Sequence, residues 1–254
     1  MIKFFDCEIG VGNSGLGYPS TKTPVELLAM MDRYAIDSAL VYDRGGHESG
    51  VYDRFDFLLD FCAASPRLKP AIPILPPACG EQPPPDELVS FILDKGIKAV
   101  RACPAAHNFI FNSFTMGRLL EPLQKRRIPV ICTYQQVQDH PWLHEPAWRD
   151  VYDVATTFPK LPIVMLYTGM LQGRRLMPLL EACPNVLADL NCASFHYVEY
   201  VTEKLGAGRL VYASHYPTED PGIYTTWVNY AGVSETDRGR IAAGNIRRLV
   251  EGIR

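Results

Sequence analysis

Eight short apolar runs recur along the chain, most of them followed by a stretch with helical periodicity, and this alternation restricts it to a parallel α/β architecture. The runs lie at 2–5, 38–42, 68–75, 97–103, 128–134, 161–167, 185–190 and 209–214. They read as continuous apolar segments, the pattern of strands buried on both faces. Helical stretches carry their own punctuation. Thr23-Pro24 supplies an N-cap and an N1 proline ahead of PVELLAMMDRYA, and PPDELVSFILDKG opens on prolines and acids and closes on Gly96. Parallel strands joined by helices form right-handed β-α-β units. Eight such units in about 250 residues predict a (β/α)8 TIM barrel built as one domain over 1–254. An open doubly wound sheet is the alternative, but no G-x-G-x-x-G or Walker A pattern follows any strand.

Charge and composition narrow the function classes. The 25 basic and 28 acidic residues leave a net charge of -3, with no basic footprint for nucleic acid or anionic lipid. No apolar run is long enough to span a bilayer, and MIKFFDCEIG lacks the stretch of a signal peptide, so a cytoplasmic protein is expected. The 7 cysteines are scattered without a C-x-x-C, which fits reduced, buried thiols. The 21 prolines are expected in loops and first turns, with a cluster at PILPPACGEQPPP that could lid a pocket.

In such a barrel the chemistry stands at the C-terminal strand ends. Strand 1 offers Asp6 and Glu8, and strand 2 offers Asp43 and Arg44, with His47 beyond. Strand 4 offers Arg101, strand 5 Thr133 and Tyr134, strand 6 Tyr167, and strand 7 Asp189 and Asn191. Strand 8 ends in Ser214 and His215.

FFDCEIG followed by TPVELLAMMDRYAIDSALVYD resembles the opening of the amidohydrolase superfamily, in its amidohydrolase-related (type 2) branch. GIKAVRACP, RRIPVICTY, FPKLPIVMLYTGM, CPNVLADLNCAS and GRLVYASHYP with GNIRRLVEG follow in the order of that branch's blocks. The resemblance implies a (β/α)8 barrel whose members mostly use a divalent metal to activate water for hydrolysis or decarboxylation. It also implies metal ligands that this chain does not carry. Where strand 1 of the family ends Asp-x-His-x-His, this chain has Asp6, Glu8 and Gly10. The strand 5 and strand 6 histidine positions fall at or beside Thr133 and at Tyr167, and the strand 8 aspartate position at His215. Zinc needs three or four N, O or S donors, and only Glu8 and His215 remain. No metal and no other cofactor is therefore expected.

The catalytic candidates are Glu8, His215, Tyr167 and Arg101, with Asp43, Arg44, Thr133, Tyr134 and Asn191 as substrate-binding candidates. Glu8 and His215 read as an acid-base couple between strands 1 and 8, or as a buried ion pair filling a lost metal site. Arg101 reads as a clamp on a substrate carboxylate, or as a salt-bridge partner of Glu8 or Asp43. Tyr167 and Tyr134 read as proton donors or as packing. His107, His140, His144 and His196 read as surface residues, and Asn245 as a brace for the last helix. Two functions follow, with retained metal catalysis through unusual ligands as a third. One is a metal-independent hydrolase, lactonase-type or related, acting on a small carboxylated or cyclic substrate. The other is an inactive binding or assembly relative. The expected partner is a small molecule, with neither nucleic acid nor membrane, and a homo-oligomer is open.

Overall fold

A computed structural model describes residues 2–13, 20–47, 54–133, 147–167, 173–192 and 196–254. Seven parallel strands form one sheet in sequence order: β1 (Phe4–Val11), β2 (Ile36–Asp43), β3 (Leu68–Pro73), β4 (Ala99–Ala102), β5 (Val130–Thr133), β6 (Ile163–Leu166) and β7 (Val186–Ala188). Between them run α1 (Pro24–Arg33), α2 (Phe55–Ala63), α3 (Pro85–Asp94), α4 (Ser113–Arg126), α5 (Trp148–Thr157) and α6 (Gly173–Ala182). The chain continues through α7 (Tyr197–Leu205), α8 (Gly222–Tyr230), α9 (Glu235–Gly239), a π turn (Arg240–Gly244) and α10 (Asn245–Glu251). No described helix is long and apolar enough to cross a membrane.

Local chemistry explains several boundaries. Thr23 and Glu26 form a reciprocal capping box at the start of α1, which satisfies two orphan amides. Asn112 caps α4 through Thr115 N–H. The expectation that prolines only punctuate fails at Pro122 and Pro178, which lie inside α4 and α6. Both are at least partly exposed, where water can take the carbonyl that proline leaves unpaired. The sequence reading also passes over α8, whose GIYTTWVNY is rich in β-branched and aromatic residues of modest helix propensity.

The eighth run closes the barrel without forming a ladder. Isolated parallel bridges join Leu210 to Ala188 and Tyr216 to Ile9. Backbone bonds run from Val211 N–H to Ala188 O (2.9 Å), Cys7 N–H to Tyr212 O (3.1 Å) and Gly10 N–H to Tyr216 O (2.8 Å). The pairing is interrupted because β1 shifts register between Asp6 and Ile9, and because the Asp6 carboxylate takes the Ser214 N–H at 3.0 Å. A side chain thus replaces one rung of the seam.

Strand parity divides the core in two. Residues such as Ile9, Val41, Ile72, Val100, Cys132 and Met165 pack against the helices. Alternating with these are Phe5, Leu40, Ala71, Ala99, Ile131, Val164, Leu187 and Val211, which fill the barrel interior together with Ala243, Ile246, Leu249 and Val250 of the π turn and α10. Asn245, buried, fixes this C-terminal plug by donating to Ala207 O (2.7 Å) and Leu210 O (2.8 Å). It therefore braces the plug against the start of the eighth run rather than only its own helix.

Candidate active site

Two residues beyond the apolar interior layer, the same parity brings polar side chains to the barrel mouth. Tyr42, Arg101, Thr133 and Asp189 follow Leu40, Ala99, Ile131 and Leu187 by two positions, and His215 follows Ala213. Glu8, Arg101, Thr133, Asp189 and His215 are all buried. These groups sort into two clusters.

In the first, Arg101 closes on Glu8 with both terminal nitrogens. Its Nη1 meets Oε2, and its Nη2 lies 2.9 Å from Oε1. The Arg101 guanidinium also stands 3.7 Å from the centroid of the Tyr42 ring, a cation-π contact. Burial would lower the Arg101 pKa, but the Glu8 charge outweighs it and keeps the guanidinium protonated. Burial pushes the Tyr42 phenol up, with Glu8 adding to the effect, so it stays neutral. Arg101 Nε is buried without a hydrogen-bond partner among the described residues.

In the second cluster, Asp189 gathers two residues of unusual backbone. Its Oδ2 lies 2.8 Å from His215 Nε2 and accepts the Tyr167 N–H at 3.3 Å. Tyr167 (φ 51°) and His215 (φ 57°) both occupy the left-handed region, which is costly for residues with a Cβ. Their rings meet at 3.8 Å, and the Tyr224 ring approaches His215 edge-on at 5.3 Å. Tyr224 in turn donates to Glu219 at 2.6 Å and accepts from Asn191 Nδ2 at 2.6 Å. Burial opposes a charge on His215, but the Asp189 carboxylate, with Glu8 and Glu219, outweighs it and holds the pKa above 6.5. Burial drives the Tyr167 phenol well upward, so it stays protonated. Neither His215 Nδ1 nor His215 Nε2, both buried, has an aligned hydrogen-bond partner among the described residues, so the Nε2 contact with Asp189 is an ion pair by distance.

Asp6 links the clusters from below. Its Oδ1 accepts from Glu8 N–H and Ser214 N–H, both at 3.0 Å. Burial raises its pKa from 3.8 to about 7, against the lowering effect of the Ser214 bonds and of His215.

The remaining candidates are dispersed. Asp43 is held by the Arg54 guanidinium and accepts from Gly45 N–H (3.3 Å) and Gly46 N–H (2.9 Å), so its carboxylate organises the turn after β2. Arg44 donates to Thr218 Oγ1 at 3.2 Å, bridging the loops after β2 and the eighth run. Thr133 is buried at the end of β5. Tyr134, His140 and His144 lie outside the described residues. His107 is half-buried near Gly46 rather than on the surface, and burial lowers its pKa. His196 is exposed. The Pro-rich segment is clasped by Gln82, which bonds Leu75 N–H and Pro73 O, each at 2.8 Å. Of the cysteines, Cys7, Cys62, Cys103, Cys132 and Cys183 are free and buried, and burial pushes the Cys103 thiol up to about 12.

Glu8 is thus gripped by Arg101, and the carboxylate facing His215 is Asp189 instead. Asp189 stood in the ring of strand-end residues but outside the chosen set. Its parity with Leu187 is the signal that would have selected it.

Among the described residues, the mouth offers no assembled ligand set for a resident divalent metal. Both Glu8 oxygens are taken by a guanidinium. No group of three His, Cys, Asp or Glu side chains gathers as ligands among the described residues.

Fold and site together define a parallel α/β barrel with buried titratable side chains gathered at its mouth. The sequence matches the family described as Amidohydrolase over residues 19–251, and the chain belongs to that family. Sequence comparison with curated proteins gives no match. Among solved structures, the chain is similar to an uncharacterized TIM-barrel protein from Bordetella bronchiseptica, at 17% identity and TM-score 0.76, with 99% of each chain covered. It is also similar to a dihydroxybenzoic acid decarboxylase from Polaromonas sp. JS666 with bound manganese, at 14% identity and TM-score 0.72, covering 99% of this chain and 97% of that one. A 5-carboxyvanillate decarboxylase from Sphingomonas paucimobilis matches at 15% identity and TM-score 0.71, with both chains fully covered at 100%. These likenesses establish the TIM-barrel fold.

Proposed function

We propose that this protein is a hydrolase acting at the C-terminal face of the barrel on a small carboxylated or cyclic substrate, with His215 as its acid-base residue and no metal in the reaction. The observation that carries this reading is the His215 environment. An imidazole is buried, held in a left-handed backbone and set against Asp189 through Nε2, while Nδ1 is left without a partner among the described residues. A buried polar nitrogen left unpaired costs about 1–3 kcal/mol, and strained, charge-tuned residues cluster at functional sites. The two decarboxylases named above are neighbours in fold whose names denote carboxylated aromatic substrates, which favours that class here.

In this reading Asp189 orients the ring and stabilises its charged form. With the imidazole neutral, Nδ1 takes a proton from water as the water oxygen bonds to the acyl carbon. The same nitrogen returns that proton to the leaving oxygen as the acyl C–O bond breaks. The Tyr167 hydroxyl donates to the developing oxyanion. Arg101, already neutralised by Glu8, supports the mouth as a fixed dipole and does not act as a free carboxylate clamp.

The experiment is a screen of aliphatic and aryl lactones and esters of small carboxylated aromatics, using protein stripped with chelator. Turnover is expected from the chelated enzyme and loss of it in His215→Asn. Turnover that requires added divalent metal would overturn the metal-free reading.

The closed Glu8–Arg101 pair favours a second reading, an inactive binding relative, because it withdraws two of the four catalytic candidates from substrate. Saturable binding of a screened carboxylate with no turnover would select it.

A further inference from the structure

At the opposite end of the barrel, residues just ahead of β5, β6 and β7 line a cleft of about 320 Å³ beside α10. Three of them, Arg127, Lys160 and Arg248, carry positive charge, and no Asp or Glu lines the cleft. None of these three side chains makes an ion pair or hydrogen bond with another described residue. The chain as a whole is acidic, at -3, so the concentration of cations here is local.

The cleft is built rather than loose. Gln124 tethers two of its cationic residues by their backbones: its carbonyl accepts Arg127 N–H at 3.0 Å and its Oε1 accepts Lys160 N–H at 2.8 Å. Asn185 fixes the wall by donating to Ala155 O (3.1 Å), Phe158 O (3.1 Å) and Leu161 O (3.0 Å). The C-terminal segment is pinned by Arg254 N–H to Arg126 O at 2.9 Å. Like charges gathered around one concavity repel, and three exposed cations carried on a fixed backbone frame favour a multivalent anion.

We infer that this cleft binds a compact polyanion carrying two or more phosphate or carboxylate groups. It is a second site, remote from the mouth and independent of the chemistry proposed there. Arginine forks and a lysine point charge suit such oxyanions, and the volume accommodates a small organic molecule.

The test is calorimetric titration of the full chain at low salt with pyrophosphate and, separately, citrate. Wild-type protein is expected to bind at least one of them saturably. A protein carrying R127Q, K160Q and R248Q should bind at least about tenfold more weakly, whereas one carrying K22Q, K95Q and K204Q should stay within about twofold of wild type. The single variant R248Q should fall between the two triples. Binding of pyrophosphate alone identifies a phosphate-bearing ligand, and binding of citrate alone a carboxylate-bearing one. No saturable binding of either anion, or equal weakening in both triples, would overturn the inference.

Discussion

Asp189 meets His215 and Tyr167 through a single oxygen: its Oδ2 lies 2.8 Å from the His215 imidazole and 3.3 Å from the Tyr167 backbone nitrogen. One carboxylate at the end of β7 therefore ties together two left-handed residues, one from each neighbouring strand end. This arrangement both sets the charge of the imidazole and holds the backbone that presents it.

Asp189→Asn should lower the His215 pKa, since burial then acts without its main opposing charge. The check is a titration of labelled histidines by NMR. A fall to 6.5 or below is expected. A His215 titration that stays put would show that the carboxylate is not what raises it.

Stability should fall as pH rises from acid toward neutral. Asp6 is raised from 3.8 to about 7, so the folded state binds the proton more tightly and the advantage disappears between those values. His215 acts in the same direction, because its folded pKa lies above 6.5 and its contribution is lost as pH passes through that folded value. Melting temperatures measured from pH 4 to 8 should decline, and Asp6→Asn should flatten the decline. An Asp6→Asn slope as steep as wild type would place its cause elsewhere.

Glu8→Gln should destabilise the protein by about 3–5 kcal/mol, because it strands a buried guanidinium. The double variant Glu8→Leu with Arg101→Met should recover most of that loss. Urea unfolding of the single and double variants measures both. Equal destabilisation in the two would mean that packing, not the charge pair, is the source.

Asn245→Ala removes the donor for two carbonyls at the entry to the eighth run and should cost about 2 kcal/mol or more. Hydrogen exchange should quicken at Val211, whose N–H bridges to β7, if the plug and the barrel seam are coupled. Unchanged exchange there would separate them.

Much of the frame was legible in the sequence because strand burial and helix capping are local. Val130 to Thr133 or Ile163 to Leu166 can face only inward or toward helices, and Thr23 to Glu26 carries its own start signal. The eighth run is apolar enough to be recognised, but its missing ladder depends on Asp6, 208 residues away from Ser214. The site was half legible. Its residue types stood at the strand ends, and Arg101 to Glu8 was one of the pairings considered. The choice of Asp189 for His215 rests on barrel parity and on positive φ at Tyr167 and His215, which no local pattern announces in residues other than glycine or asparagine.

In the proposed reaction His215 acts as the acid-base group without metal. Its most direct test is the pH profile of kcat/KM for a substrate found in the lactone and ester screen, recorded in the presence of chelator for wild type and His215→Asn. Wild-type kcat/KM should rise with pH through one ionisation above 6.5, and His215→Asn should lose about 10²–10⁴-fold and the pH dependence with it. Activity that survives His215→Asn, or that disappears on chelation and returns with a divalent metal, would contradict it.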